Sequence, residues 1–264
     1  MHHISQPPTV LSMEVSSRDD SEYRILVSNR VRYLTISTGT FERSILSMPL
    51  SSLPELPEDT TWNVAHVSRD PSSREVVMNL QHRALSGITN LWHPVSIDCL
   101  QLKKRKSFTP TAYEVSYTGD KLQSPTSPVV IAKIARFEWE VPRLSMETFM
   151  YRRLENTGLA PRFLGHVHEH GRVIGFVLEK IEGREANIED LPSCQSALQR
   201  LHDLGILHGD VNRHNFIVQD NTTRMIDFEN SKLCIGGSAS MQAEMDSLRD
   251  QLVEETGRGA GFAR

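Results

Sequence analysis

One segment constrains this chain more than any other. It reads His208-Gly209-Asp210-Val211-Asn212-Arg213-His214-Asn215, runs on through Phe216-Ile217-Val218, and after a short turn reaches Met225-Ile226-Asp227-Phe228-Glu229. Asn215 follows Asp210 by five residues, and Asp227 comes twelve residues after that. The apolar triplets predict two short strands, Asn215 to Val218 and Arg224 to Phe228, so the polar groups sit on a loop and a hairpin. Phosphoryl transfer to a hydroxyl needs such a set: one carboxylate to accept or orient the nucleophile's proton, and a carboxylate with an amide oxygen to hold Mg²⁺ on the phosphates. A carboxylate beside a dication stays ionised, and an Asn ligand adds an oxygen without adding charge. Read without chemistry, the segment is a buried turn whose Asp and Asn cap backbone groups.

The chain has 264 residues, enough for one large domain or two lobes with a proper core. A net charge of −4 leaves no global field to attract nucleic acid or an anionic membrane, so neither is expected as a partner. Apolar runs are short, and Met1 to Asp20 has no apolar core of a secretory signal. Cys99, Cys194 and Cys234 are isolated, which excludes a disulfide framework and any CxxC metal site. A reducing, intracellular setting is expected, cytoplasmic or nuclear.

Residues 1–21 read as a disordered arm. Glu22 to Ile36 predicts two strands around a turn at Ser28-Asn29, Met48 to Asp59 with its three prolines reads as a linker, and residues 60–94 carry no clear pattern. After Pro94, strands are predicted at Val95 to Leu102, Ala112 to Tyr117 and Val129 to Ala135. The basic run Lys103-Lys104-Arg105-Lys106 falls between the first two and reads as a solvated hairpin end in preference to a phosphate patch. A helix over Leu144 to Asn156 stops at Thr157-Gly158, a hairpin follows across Glu169-His170-Gly171, and helices run over Leu191 to Leu204 and Ser240 to Glu255. Gly257 to Arg264 reads as a flexible tail. Strands first and helices after predict an α+β chain of two lobes, joined near Glu179 to Gly183.

The Asp210, Asn215 and Asp227 set resembles the catalytic loop and metal-binding Asp of the protein-kinase-like superfamily. The resemblance implies ATP and Mg²⁺ as cofactors and an unidentified phosphoryl acceptor, with Asp210 as base or orienter and Asn215 and Asp227 on metal. It also implies that Val129-Val130-Ile131-Ala132-Lys133 is the strand carrying the phosphate-binding lysine, and that Glu147 on the next helix holds Lys133 in place. Glu155 is a rival lying nearer that helix's end. The backbone around Glu179 to Ile181 would meet the adenine edge, with Ile131, Ile217 and Ile226 forming the slot for the ring. His208 and Phe228 would be packing residues that link the loop to the helix through Tyr151. More widely, "LPELPEDTTW", "APRFLGHVHEHGRVIGFVLE" and "DLPSCQSALQRLHDLGILHGDVNRHNF" are similar to small kinase-like proteins frequent in filamentous fungi. This implies a two-lobed kinase-like fold: an arm at 1–21, an extension at 22–94 packing on an antiparallel-sheet N-lobe at 95–182, a minimal helical C-lobe at 183–256 and a tail at 257–264.

Three departures from that pattern stand out. Leu100 to Tyr117, where a glycine-rich phosphate loop is expected, has no glycine. Glu229 replaces the glycine after Asp-Phe, which puts another carboxylate near the metal. Asn212 stands where a lysine is usual, and neighbouring Arg213 is the candidate to reach the γ-phosphate in its place. The expected activity is phosphotransfer to a hydroxyl of a small molecule or a restricted protein site. The alternative is a nucleotide-binding or scaffolding protein without turnover.

Overall fold

The Ser28-Asn29 turn is made by two residues in the left-handed region, with φ of 45° and 66°. That backbone matches the twist of the strands it joins, and Asn tolerates it well. The computed structural model describes residues 7–117, 119–122, 129–220, 222–234, 239–254 and 256. The expected tail at 257–264 and the first six residues of the expected arm lie outside them. Two compact units are present: one holds the described residues up to Ser86 together with Arg136–Glu138, the other Gly87–Ala135 and the chain from Trp139.

The first unit carries β1 (Thr9–Glu14), β2 (Ser21–Val27), β3 (Arg30–Ile36), a single helical turn α1 (Arg43–Leu46), β4 (Val64–Arg69) and β5 (Val76–Gln81). They form one sheet in sequence order, antiparallel except for the parallel β3–β4 pair. Tyr23, Ile25, Leu34, Ile36, Trp62, Ala65 and Val67 build its core. The expected disordered arm is therefore corrected over Thr9–Glu14, which pairs with β2. Every residue of β2 is buried or half-buried, so an unpaired outer edge would strand its backbone groups away from water. Thr, Ser and Glu in β1 hide that strand from a hydropathy pattern. The proline-rich 48–59 segment is also ordered at its end: the buried Arg32 guanidinium donates to the Pro57 and Glu58 carbonyls at 3.2 Å, and to that of Asp59, while stacking 4.1 Å over Trp62.

The second unit begins at Gly87 and not at Val95, because Ile88 belongs to its core and Trp92 packs against that core. Its strands are β6 (Ser96–Asp98), β7 (Leu102–Ser107), β8 (Ala112–Tyr117), β9 (Val129–Ile134), β10 (Phe163–Glu169), β11 (Arg172–Glu179), β12 (Arg184–Glu185), β13 (Ile206–Leu207), β14 (Phe216–Gln219), β15 (Thr222–Met225) and β16 (Lys232–Leu233). Its helices are α2 (Val141–Leu154), α3 (Leu191–Asp203) and α4 (Ala239–Val253). A six-stranded sheet runs β6-β10-β11-β9-β8-β7, and all its pairs are antiparallel except β6–β10. Small ladders β12-β14-β15 and β13-β16 accompany α3 and α4. The chain is thus α+β, as expected.

The expected strand Val95 to Leu102 is broken. Asp98 accepts the Leu100 amide at 2.8 Å and caps a 3₁₀ turn, after which β7 starts. The basic run consequently lies along β7 and not at a hairpin end. β7 is the sheet's outer strand, where exposed Lys and Arg block pairing with another chain, and Lys104 covers the Tyr113 ring at 3.8 Å. Helix α2 starts at Val141 with Pro142 in its first turn and ends before Asn156 and Gly158, both at positive φ. Leu144, Met150, Tyr151 and Leu154 sink its inner face into a core shared with Phe163, Phe176, Phe216 and Phe228.

Candidate functional site

Along β9, half-buried and buried residues alternate, so Ile131 and Lys133 share a side. Lys133 is the last residue but one of β9 and lies between Ala112 of β8 and Phe176 of β11. Glycine at 175 allows β11 to come this close: a Cβ there would lie 2.1 Å from the Lys133 carbonyl oxygen. An ammonium buried in such a place needs partners. Lys133 Nζ has three, donating to Glu147 Oε1 at 2.7 Å, Glu147 Oε2 at 2.9 Å and Asp227 Oδ1 at 2.6 Å. Glu147, and not Glu155, makes this bond, because α2 turns Glu147 inward with Leu144 and Tyr151. Glu147 Oε1 also accepts the Phe228 amide at 3.2 Å, which ties α2 to the Asp-Phe-Glu segment.

Burial alone would lower the Lys133 pKa, but Asp227 and Glu147 outweigh it and the ammonium is held above its ordinary value. For Asp227, burial pushes upward and Lys133 more than reverses it, so this carboxylate stays ionised below the usual range. For Glu147 burial prevails over Lys133, with Asp227 adding to it, and the carboxyl is pushed up to about 7.

The Asp210 loop is built by close backbone approach. Gly209 has φ of 82°, and a Cβ there would sit 2.4 Å from the Asn230 carbonyl oxygen. Asn215 Nδ2 donates to the Asp210 carbonyl at 2.8 Å and to Asp210 Oδ2 at 3.3 Å, which aims its amide nitrogen at Asp210. The Ile226 amide donates to the Asn215 carbonyl at 3.0 Å, so the β14–β15 hairpin sets Asp227 beside the Asn215 position. Asp227 itself adopts φ of 67°, a conformation Asp tolerates better than most residues. Asn212 accepts the His214 amide at 2.9 Å and donates to the Asp210 carbonyl at 3.3 Å, so it shapes the loop from within.

Glu244 was not singled out in the sequence, yet it holds the loop from α4. Its Oε2 accepts the His208 amide at 3.1 Å and meets His202 Nε2 at 2.7 Å, while its Oε1 accepts the Gly209 amide at 2.6 Å. One signal was present: Met241, Glu244, Leu248 and Leu252 fall on one face of α4, and a glutamate on an apolar face needs a reason. His208 is fully buried, lies 3.0 Å from the Ile226 carbonyl through Nε2, and packs 5.1 Å from the Phe228 ring. Phe228 in turn meets Tyr151 edge-on at 5.5 Å. Burial holds the His208 pKa down, so its imidazole is neutral packing material.

The structure thus joins Lys133, Glu147 and Asp227 directly, joins Asp210 to Asn215, and links the two groups through one backbone bond. Among the other sequence-derived positions, Ile226 takes part in these bonds through its amide and the rest lie apart from them. Ile131 packs on the core and Ile217 is buried, while Ile226 is half-buried. The Glu179 side chain is clamped by Arg162 at 2.8 Å and Arg224 at 2.5 Å, and its amide donates to the Arg162 carbonyl at 3.0 Å. Only Lys180 and Ile181 in this stretch lie beyond the strand pairing. Arg213 forms no ion pair among the described residues, and its buried Nε has no hydrogen-bond partner. Glu229 brings a carboxylate oxygen within 4.8 Å of those of Glu147 and Asp227, and Arg143 reaches it at 3.4 Å. An all-oxygen set of this kind suits a hard dication. The β7–β8 turn, lacking glycine, is closed by Thr109 Oγ1 accepting the Ala112 amide at 3.0 Å.

Residues 166–252, about a third of the chain, match the family described as "Lipopolysaccharide core biosynthesis protein (WaaY)". No curated protein matches the sequence. The match over this segment and the α+β architecture are consistent with a kinase-like fold, and at a coarse level they support a kinase-like phosphotransferase. No helix among the described residues is long and apolar enough to cross a membrane.

Proposed function

We propose that this chain is an ATP- and Mg²⁺-dependent phosphotransferase, related to the small kinase-like proteins of fungi, that phosphorylates a hydroxyl group. The observation that carries the reading is the buried Lys133 ammonium held between Glu147 and Asp227. A packing role alone gives no reason to sink Lys133 and Glu147 into the core beside the half-buried Asp227, since an apolar set would be less costly. Lys133 would bind the α- and β-phosphates, with Glu147 fixing its position. Asn215 and Asp227 would hold the metal, whose bound form neutralises charge on the phosphates. Asp210 would orient the acceptor hydroxyl and take its proton, and Arg213 would pair with the γ-phosphate through a guanidinium that has no ion-pair partner among the described residues. Ile131, Ile217 and Ile226 would enclose the adenine ring, and the backbone of Lys180 and Ile181 would meet its edge.

A second reading, nucleotide binding without turnover, is favoured by the glycine-free β7–β8 turn, which offers fewer close backbone amides for the phosphates. Transfer or hydrolysis of the label from γ-³²P-ATP, compared across wild type, Asp210→Ala and Asp227→Ala, separates the two. Activity lost in both variants supports the phosphotransferase. Metal-dependent ATP binding with no turnover in wild type supports the second reading.

A further inference from the structure

Beside Asp210, on the side of α4, the protein opens a cleft of about 340 Å³. That volume suits one small molecule of sugar size. Its polar lining comes from Asp210 and Asn212 on the loop and from Ser240, Glu244, Ser247 and Gln251 on α4. The four helix positions are spaced by four, three and four residues, which puts them on one face of α4. Glu244 is engaged by the two loop amides and His202, so it forms the floor of the cleft. The Ser240 and Gln251 side chains have no hydrogen-bond partner among the described residues, and the Ser247 hydroxyl donates to the Glu244 carbonyl at 2.8 Å, leaving its oxygen to accept. No Lys or Arg lines the cleft among the described residues.

We infer that this cleft is the acceptor site, and that it takes an uncharged or cationic polyhydroxy small molecule and rejects phosphorylated or carboxylated ones. The inference rests on the phosphotransferase reading and names its substrate class. Neutral hydroxyls find donors and acceptors in Ser240, Ser247 and Gln251. An anionic group would face the Asp210 and Glu244 carboxylates with no Lys or Arg among the described lining residues to offset them. In the reaction the acceptor oxygen bonds to the γ-phosphorus of a nucleoside triphosphate, the bond to the β,γ-bridging oxygen breaks and the diphosphate leaves. The hydroxyl proton passes to the Asp210 carboxylate.

The test divides an extract of the source cells into a protein fraction, small molecules retained on an anion-exchange resin and small molecules that pass through it. Each is incubated with the full chain, Mg²⁺ and γ-³²P-ATP. The expected result is a labelled product from the flow-through alone, reduced at least about twentyfold by Ser247→Trp and by Ser240→Trp, which fill the cleft from two positions. Both variants should keep the wild-type thermal shift with ATP and Mg²⁺, which shows an intact fold and nucleotide site. Transfer from the retained or protein fraction, or undiminished transfer in both variants, overturns the cleft's assignment while leaving the phosphotransferase standing. No transfer from any fraction overturns both.

Discussion

The Lys133 ammonium lies 2.6 Å from Asp227 Oδ1, although 94 residues separate them in sequence. The same ammonium touches both oxygens of Glu147, which α2 carries into the core. Removing the lysine alone leaves two carboxylates facing each other, and losing one partner of a buried pair costs about 3–5 kcal/mol. Lys133→Met should therefore lower the free energy of urea unfolding by about 3 kcal/mol and abolish the thermal shift with ATP and Mg²⁺. A change under about 1 kcal/mol would show that the cluster is not held as described.

Glu244→Gln should act on turnover through the loop it anchors. An amide presents a donor where the His208 and Gly209 amides need acceptors, so one buried N–H loses its partner, at about 1–3 kcal/mol of stability. We expect kcat to fall about tenfold or more while KM for ATP stays within about threefold, and Glu244→Asp to recover part of the loss. Steady-state kinetics on soluble, folded variants check this, and a KM effect without a kcat effect would contradict it.

Acid sensitivity should be traceable to His166. Its Nε2 accepts the Trp92 and His93 amides at 3.2 and 3.3 Å, so a proton there breaks both bonds. Burial first, and His93 second, hold its pKa down to about 4 from an ordinary 6.5. Between these values the unfolded chain binds more protons than the folded one, so this contribution to stability is present above pH 6.5 and is lost as pH falls toward 4. Urea titrations at pH 7 and 4.5 should show a smaller acid loss for His166→Gln than for wild type. Equal losses would place the effect elsewhere.

Gly175→Ala should be costly although it adds one methyl group. The added carbon would lie 2.1 Å from the Lys133 carbonyl, so β11 and β9 must separate where the lysine is mounted. Overpacking of this kind costs about 1–3 kcal/mol. Thermal unfolding should show it, together with weaker ATP binding. A neutral effect would mean that the β9–β11 spacing is slack.

Several elements were legible because their signals are local. The turns at Ser28-Asn29 and His170-Gly171 use residues that tolerate positive φ, and both hairpins form there. Helix α3 stops before Gly205, at φ of 73°, for the same reason. Asp210, Asn215 and Asp227 were legible because they lie within 18 residues on one loop and hairpin, where spacing sets geometry. β1 was not legible, since its pairing is dictated by the buried neighbour and not by its own residues. The basic run on β7 was misplaced because polar residues on an outer strand read like a hairpin end.

By itself the sequence determined that three polar residues stand at fixed spacing on one loop and hairpin and that a lysine lies in an apolar run, which is what the proposed chemistry is built on. Only the tertiary structure decided that Asp227 joins Glu147 on that lysine, that Glu244 and His202 hold the Asp210 loop, and that a cleft lies beside it with no Lys or Arg among its described lining residues. Turn and helix signals act over a few residues through backbone sterics and hydrogen bonds. The partners of a buried charge come from whichever elements packing brings together, and no local pattern encodes that meeting.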